Sequence, residues 1–297
     1  MLILPDDGRD FADESSTEGE NVMNTLKVIL LISALSGLLV IVGYLVARGT
    51  GVVIALVISA LMNFGSYWFS DTIVLKMYHA RSVTRAEAPV LYDAVESLAA
   101  RAAIPVPKVY IIPSETPNAF ATGRNENHAA VAVTSGLLNL MKRDEVEGVI
   151  AHELSHIKHK DILISTMAAT IASAVVLLSR WSMFFGSDDG SAVSALAVAI
   201  IAPVAATLVQ MAISRSREYE ADAGSARITG NPEALANALM KLSGAARQKS
   251  LGANPATAHM FIVNPLSAGT IMGLFSTHPP VEKRVARLLA MKGGSTF

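Results

Sequence analysis

Residues 144–161 of the chain read DEVEGVIAHELSHIKHKD. Acidic residues stand at the start of this stretch and basic residues at its end, which is the charge order that a helix dipole favours. Its apolar residues fall on one stripe at helical spacing: Val146, Val149, Ile150, Leu154 and Ile157. On such a helix His152 and His156, four positions apart, lie side by side along one flank. Two imidazoles at this spacing can bind one metal ion.

The chain has no cysteine, so a transition metal must be held by imidazole and carboxylate groups. Zinc suits such ligands, since a catalytic zinc site has three protein ligands and leaves one coordination position for water. Glu153 lies between the two histidines and can reach that water as a general base. We therefore expect one zinc ion per chain and a catalytic role for Glu153. The alternative is a pair of surface histidines with capping or solvation roles.

The composition predicts a membrane protein. Hydrophobic residues make up 52% of the chain and charged residues 16%, whereas an average soluble domain has about 25% charged residues. Four apolar segments are each long enough to cross about 30 Å of hydrocarbon, namely residues 26–47, 51–69, 162–181 and 192–213. The alternative, buried helices of a large soluble protein, is disfavoured because the interiors of these segments lack charged residues. A net charge of -1 gives no basic field for binding nucleic acid.

The apolar segments divide the chain into five parts. We predict a disordered acidic tail, a first transmembrane hairpin, one part of a catalytic domain, a second transmembrane hairpin and the rest of the catalytic domain, over residues 1–24, 25–70, 71–161, 162–213 and 214–297. Met23 is an alternative start of a shorter chain. Arg48 and Arg180 are the basic residues on the side of the hairpin tips, and the other 24 - 2 = 22 lie on the opposite side. The positive-inside rule makes that opposite side cytosolic.

The soluble parts mix helices with a few short strands. Thr84 and Glu87 form a capping-box pattern that predicts a helix start, and residues 109–112 and 129–133 are typical of strands. The predicted fold class is therefore α+β and mainly helical, with four transmembrane helices and a cytosolic domain that contains a small sheet.

A third metal ligand is expected where the second hairpin leaves the membrane. His156 lies 162 - 156 = 6 residues before the third apolar segment, and Glu218 lies 218 - 213 = 5 residues after the fourth. In an antiparallel hairpin both positions emerge at nearly the same height, so Glu218 is placed to complete the ligand set. Asp222, one helical turn later, can accept a hydrogen bond from a ligand imidazole. The alternative for both is a solvated carboxylate in the charged stretch RSREYEAD.

Four runs together resemble one known family. AHELSHIKHKD, SRSREYEADAGSA, NAFATGRN and STHPPVEKR are similar to motifs of the HtpX-type membrane heat-shock proteases, which are gluzincins related to the CAAX prenyl proteases. The resemblance covers nearly everything from Met23 to the C-terminus. It implies a zincin-like protease domain, zinc ligation by His152, His156 and Glu218, and catalysis by Glu153.

The resemblance also suggests further site residues. Asn118 and Phe120 would lie beside the cleft, where an edge strand pairs with the substrate backbone. His278 and Arg284 would approach the site and stabilise the oxyanion of the reaction, with His278 counted as catalytic and Arg284 as substrate-binding. A helix-capping role for His278 and a solvated position for Arg284 remain open alternatives.

These observations predict a multi-pass zinc endopeptidase of a bacterial inner (plasma) membrane. Its partners would be the lipid bilayer and unfolded or misfolded membrane or cytosolic proteins, which it would cleave in protein quality control. Charged residues crowd both ends of the histidine helix, so we expect the active site at the cytosolic membrane surface and not inside the bilayer. The alternative is a non-enzymatic metal-binding scaffold or sensor.

Overall fold

The computed structural model describes residues 10–163, 215–248, 262 and 279–292. The helices within these residues are α1 (Asp10–Met77), α2 (Pro89–Ala102), α3 (Ser135–Leu140), α4 (Arg143–Lys158), α5 (Arg215–Thr229), α6 (Pro232–Gln248) and α7 (Val281–Met291), with a short 3₁₀ turn at Glu126–His128. The strands are β1 (Arg81–Ser82), β2 (Lys108–Ile112), β3 (Ala119–Gly123) and β4 (Ala129–Thr134). A mainly helical fold with a small sheet is confirmed.

The first helical element, α1, folds back on itself near Arg48. The φ of Arg48 is 49°, a left-handed conformation that interrupts a right-handed helix. Ser59 and Asn63 donate hydrogen bonds to Ser36 Oγ at 2.7 and 2.9 Å, although 59 - 36 = 23 residues of straight helix would span about 35 Å. The reversal agrees with the turn predicted between the first two apolar segments.

The part of α1 after this turn has the properties of a membrane span. Arg48–Phe69 has a mean hydropathy of 1.8 over 22 residues, which is long enough to cross the hydrocarbon core. Outside one buried face at Ala55 and Ser59, this stretch exposes large apolar side chains, namely Val53, Ile54, Leu56, Val57 and Ile58. Lipid matches such a surface, whereas water does not. The predicted spans at 162–181 and 192–213 lie outside the described residues, apart from 162–163.

The N-terminal end of the chain differs from its prediction. Helix α1 already begins at Asp10, so residues 10–24 are helical and the predicted disordered tail is wrong for this part. Acidic residues near a helix start are stabilised by the helix dipole, and this stretch has several. Residues 1–9 lie outside the described range.

The sheet has the strand order β1-β2-β4-β3, with β2 parallel to β4 and β3 antiparallel to it. Strands β2 and β4 confirm the two predicted strands. One face of the sheet packs on α2 and α4 through Val109, Val131 and Val133. Side chains alternate between the faces of a sheet, and Phe120 on the other face packs against Val74 near the end of α1. Strand β3 lies at one edge of this sheet. One of its faces packs on the side of α4, and the other packs on the end of α1.

The predicted capping box forms only in part, since the Glu87 N–H donates to the Thr84 backbone oxygen and not to its hydroxyl, and it does not start the helix. Glu87 accepts hydrogen bonds from the backbone N–H and hydroxyl of Thr84 at 2.8 and 3.0 Å. Helix α2 begins later, at Pro89. Proline suits the first turn of a helix because the N–H that it lacks would have no helical partner there.

Helix α4 lies at the centre of the main hydrophobic core and crosses α5 at very short range. Gly224 of α5 allows this approach, because a Cβ atom there would overlap Ser155 of α4. Gly148 of α4 allows a similarly close approach of α6, since a Cβ atom there would meet the Leu235 backbone. The Ser225 hydroxyl also donates to the Gly148 carbonyl oxygen at 2.7 Å. The crossing brings the middle of α5 against the histidine flank of α4.

Candidate metal centre and active site

Two imidazoles of α4 and one carboxylate of α5 converge on a single point. The Nε2 atoms of His152 and His156 are 3.2 Å apart. Glu218 Oε2 lies 3.8 Å from the first of these nitrogens, and Glu218 Oε1 lies 3.7 Å from the second. The side chains of His152 and Glu218 are buried, and that of His156 is 16% exposed. The group predicted from the sequence is thus assembled from two helices.

This group fits zinc. Tetrahedral zinc at 2.0–2.1 Å from each ligand separates two ligand atoms by about 3.3 Å. The two nitrogens match that separation, and the carboxylate oxygens of Glu218 are within about 0.5 Å of it. Two imidazoles and a carboxylate are also a donor set that catalytic zinc uses. We therefore regard His152, His156 and Glu218 as a metal site by geometry as well as by chemistry.

Each imidazole has a carboxylate at its other nitrogen. His152 Nδ1 lies 3.2 Å from Asp222 Oδ1, as the sequence predicts for Asp222. His156 Nδ1 lies 3.1 Å from Asp161 Oδ2. A carboxylate at Nδ1 favours the tautomer whose Nε2 lone pair faces the metal.

Asp161 was missed by the sequence reasoning. It lies beyond the end of α4, so helical spacing does not place it next to a histidine. Lys160 has a left-handed φ of 59°, and this turn brings Asp161 back to the helix. Such a conformation is uncommon outside glycine and leaves little trace in a single sequence.

Arg284 of α7 is fully buried between the carboxylates. Its Nε and Nη2 atoms donate to both oxygens of Asp222 at 2.8 and 2.7 Å. Its Nη1 atom donates to the Ile262 carbonyl oxygen at 3.0 Å and lies 3.2 Å from Glu218 Oε2. Arg284 does approach the site, so the alternative of a solvated helix residue is wrong. Its guanidinium group contacts the residues that surround the metal site.

Charge compensation around Arg284 is visible in two pKa shifts. Burial by itself raises the pKa of Asp222, but the positive charge and hydrogen bonds of Arg284 outweigh it and hold that pKa below its ordinary value. Burial likewise lowers the pKa of Arg284, yet the charges of Asp222 and Glu218 raise it overall. The pair is therefore ionised, and its bidentate geometry fixes the position of both side chains.

His156 titrates in a strongly negative environment. Burial alone lowers the pKa of this imidazole, but the hydrogen bond that it donates to Asp161 and the charge of Glu218 raise it to about 9. Metal binding and protonation compete for the same nitrogen. The cluster of carboxylates therefore favours a cation at this point of the fold.

Glu153 is buried beside the two histidines and bound to the edge strand. Its Oε2 atom accepts a hydrogen bond from the Ala121 backbone N–H at 2.8 Å. Burial raises the pKa of Glu153, although the neighbouring His152 and His156 act in the opposite direction. Glu153 therefore lies between the metal group and β3.

The remaining predicted residues have different outcomes. The segment that contains Asn118 and Phe120 lies beside Glu153, since it leads into and forms β3. The Asn118 side chain is buried and accepts a hydrogen bond from the Ile262 N–H at 3.3 Å. The Phe120 ring packs on Tyr78 at a centroid distance of 5.4 Å, on the sheet face away from α4. His278 lies outside the described residues.

Two histidines and a glutamate on one helix, with a carboxylate from a second helix, define a metal-dependent peptidase. Comparison with known proteins agrees with this class. The family model described as peptidase family M48 matches residues 85–292. The chain is 53% identical over 275 residues to a protease HtpX homolog of Desulforapulum autotrophicum, covering 89% of each chain. A protease HtpX homolog of Pyrococcus furiosus is 55% identical over 279 residues, covering 90% of this chain and 96% of its own length.

Two further similarities complete the comparison. A protease HtpX homolog of Paraburkholderia phytofirmans is 50% identical over 284 residues, covering 93% of this chain and 100% of that protein. The crystal structure of S. mikatae Ste24p matches 91% of this chain and 66% of its own, with 19% identity and a TM-score of 0.49. The chain belongs to peptidase family M48, within the group of HtpX proteases. It is a metalloendopeptidase.

Proposed function

We propose that the chain is a membrane-integrated zinc endopeptidase that cleaves misfolded membrane or cytosolic proteins at the cytosolic surface of a bacterial plasma membrane. The observation that carries this proposal is the convergence of His152, His156 and Glu218 at ligand spacing, with Glu153 buried beside them. The active site would serve protein quality control.

In this proposal His152, His156 and Glu218 hold one zinc ion. When bound, zinc supplies Lewis acidity that polarises the substrate carbonyl and lowers the pKa of water to about 7. Asp222 and Asp161 hold the two imidazoles with Nε2 toward the ligand point. Arg284 holds Asp222 and Glu218 in place by ion pairs that water does not reach.

Glu153 moves the proton. One carboxylate oxygen accepts a hydrogen bond from the Ala121 N–H, which leaves the other oxygen for the proton. Glu153 takes a proton from the attacking water and delivers it to the nitrogen of the leaving amine. The hydrogen bond from β3 restrains the carboxyl group during both transfers.

Strand β3 supplies a main-chain surface for an extended substrate. In an antiparallel pair, residues alternate between facing the partner strand and facing away. The Ala121 N–H points away from β4 and toward Glu153, so the polar backbone groups of Ala119 and Gly123 face the same outer edge, although the residues themselves are buried. A peptide that pairs with this edge is recognised through its backbone, which suits unfolded chains of many sequences.

The contact between β3 and the membrane helix supports cleavage at the membrane surface. Phe64, Tyr67, Trp68 and Phe69 follow one another near the end of the apolar stretch, and such aromatic residues are enriched at the membrane–water interface. The Arg124 guanidinium, which follows β3 directly, lies 4.5 Å from the centre of the Trp68 ring. The end of the edge strand would thus lie at the lipid headgroups.

The proposal is tested with the purified full-length protein and its Glu153→Gln variant. Zinc content and casein cleavage are measured on both. Glu153→Gln should retain zinc and lose cleavage by about 10²- to 10⁴-fold, the usual contribution of a general base. Glu147→Gln, a partly exposed change on the same helix, is the control and should cleave like wild type. Unchanged cleavage by Glu153→Gln would contradict the proposed mechanism, and a metal-binding scaffold would then explain the zinc site better.

A further inference from the structure

We propose that Asp161 and Arg217 form a clamp that positions His156 in the metal centre. The inference rests on the zinc site proposed above and assigns a role to two residues outside the ligand set. Both are positioning residues, because they act on the metal through His156 and do not touch it.

The clamp is a short chain of polar contacts. Asp161 Oδ2 lies 3.1 Å from His156 Nδ1, and Asp161 Oδ1 lies 3.4 Å from Arg217 Nη1. The side chains of Asp161 and Arg217 are 7% and 11% exposed. At this burial an ion pair is weakly screened and holds its geometry better than an exposed pair does. One carboxylate oxygen is thus held by the arginine while the other orients the imidazole.

The same arrangement occurs on the other histidine. Asp222 lies at His152 Nδ1 and is bound by Arg284. Each ligand imidazole is therefore supported by an aspartate, and each aspartate is supported by a buried or nearly buried arginine. This repetition, from different elements of the fold, favours a common purpose for both Asp–Arg pairs. Carboxylates that bind a ligand imidazole fix its orientation and increase its basicity.

The position of the clamp in the chain gives it a second role. Asp161 and Arg217 are 217 - 161 = 56 positions apart, at the two ends of the segment predicted to form the second membrane hairpin. Their ion pair holds these two ends together on the side of the metal centre. Arg217 is also the immediate neighbour of Glu218, so the clamp restrains the distance between Glu218 and His156. Membrane anchoring and ligand geometry are thereby coupled.

The experiment measures zinc affinity of the full-length protein by competition with a zinc-binding dye. The variants are Asp161→Asn, Arg217→Gln, Arg217→Lys and the double variant Asp161→Asn/Arg217→Gln. Arg143→Gln is the matched control, since Arg143 pairs with Glu147 at 2.9 Å on the exposed face of the same helix. The absorption spectrum of the Co²⁺-loaded protein reports ligand geometry independently of cleavage. Circular dichroism and elution volume check that each variant is folded.

Asp161→Asn should weaken zinc binding by about 10- to 100-fold, as other losses of a carboxylate behind a ligand histidine do. Arg217→Gln should weaken it less, by about 3- to 10-fold, and the double variant should resemble Asp161→Asn because the two residues act in series. Arg217→Lys should recover part of the loss, and Arg143→Gln should bind zinc like wild type. The Co²⁺ spectrum should change in the variants that lose affinity.

Two results would overturn the clamp. One is an Asp161→Asn variant whose zinc affinity stays within about twofold of wild type. The other is a double variant whose loss of zinc affinity equals the product of the losses in the two single variants. If Asp161→Asn does not fold, the comparison of Arg217→Gln with Arg217→Lys decides the question, and equal affinities of these two and wild type would refute it. A wild-type protein that binds no zinc would instead refute the zinc site itself.

Discussion

The close crossing of α4 and α5 makes Gly224 a sensitive position. A Cβ atom on residue 224 would lie 2.8 Å from Ser155 Cβ, with Ser155 Oγ closer still. Carbon atoms in ordinary contact are about 3.5–4.0 Å apart, so Gly224→Ala must separate the helices by about 1 Å at this point. Glu218 is on the same helix, 224 - 218 = 6 residues away. A shift of α5 therefore moves Glu218 away from the histidines of α4.

Gly224→Ala should affect both stability and catalysis. Overpacking of this kind costs about 1–3 kcal/mol of unfolding free energy. A misplacement of about 1 Å in a catalytic group lowers the rate by about 10²-fold. Thermal unfolding, casein cleavage and zinc affinity are measured on the purified variant. We expect all three to decrease.

Two further variants separate overlap from other effects. Ser155→Gly/Gly224→Ala removes the overlapping atoms and should recover most of the zinc affinity and cleavage. Its free energy of unfolding should stay below that of wild type by about 1 kcal/mol, because a glycine inside a helix is destabilising. Gly244→Ala in α6 is the control, since a Cβ there has no atom within 4 Å. It should be as stable as wild type or more so, by up to about 1 kcal/mol. Wild-type zinc affinity and cleavage in Gly224→Ala would refute the proposed dependence on the helix crossing.

Three other predictions follow from the site and the sheet. Arg284→Met leaves Asp222 and Glu218 buried without their cation and should lower the free energy of unfolding by about 3–5 kcal/mol in a denaturant titration; a loss below about 1 kcal/mol would contradict this. Gly123 has a φ of 142°, and a Cβ there would overlap the His128 carbonyl, so Gly123→Ala should lower the melting temperature, and an unchanged value would refute the strain. Chelation of zinc should abolish casein cleavage, and added zinc should restore it; cleavage that survives complete metal removal would exclude a metallopeptidase mechanism.

The histidine pair was predictable because its geometry is local. His152, Glu153 and His156 lie on one helix, and a period of 3.6 residues places the two imidazoles together whatever surrounds the helix. Strands β2 and β4 were predictable for a similar reason, since β-branched and aromatic residues dominate β2 and valine alternates with alanine in β4. Strand β3 reads AFATG, in which Phe120 and Thr122 favour a strand but two alanines and a glycine weaken the signal. It forms through pairing with β4, which no short stretch of sequence reveals.

The partners of the histidines were decided by tertiary structure to different extents. Glu218 was predictable because it follows the fourth apolar segment by about as many residues as His156 precedes the third. That argument assumes that the two segments form a hairpin across the membrane. Asp161 was not predictable, because a left-handed residue turns it back beyond the helix end. Arg284 was expected near the site, but its bidentate bond to Asp222 follows from how α7 packs on α5.

The sequence by itself determined the helix with its two imidazoles, the neighbouring base and the apolar stretches that anchor the chain in lipid. Each depends on the spacing or composition of residues close together in the chain. Tertiary structure decided which charged groups surround the metal point and how far apart they are. Those distances depend on the contact of α4 with α5, where Gly224 leaves room for Ser155, and close packing between distant segments has no local periodicity.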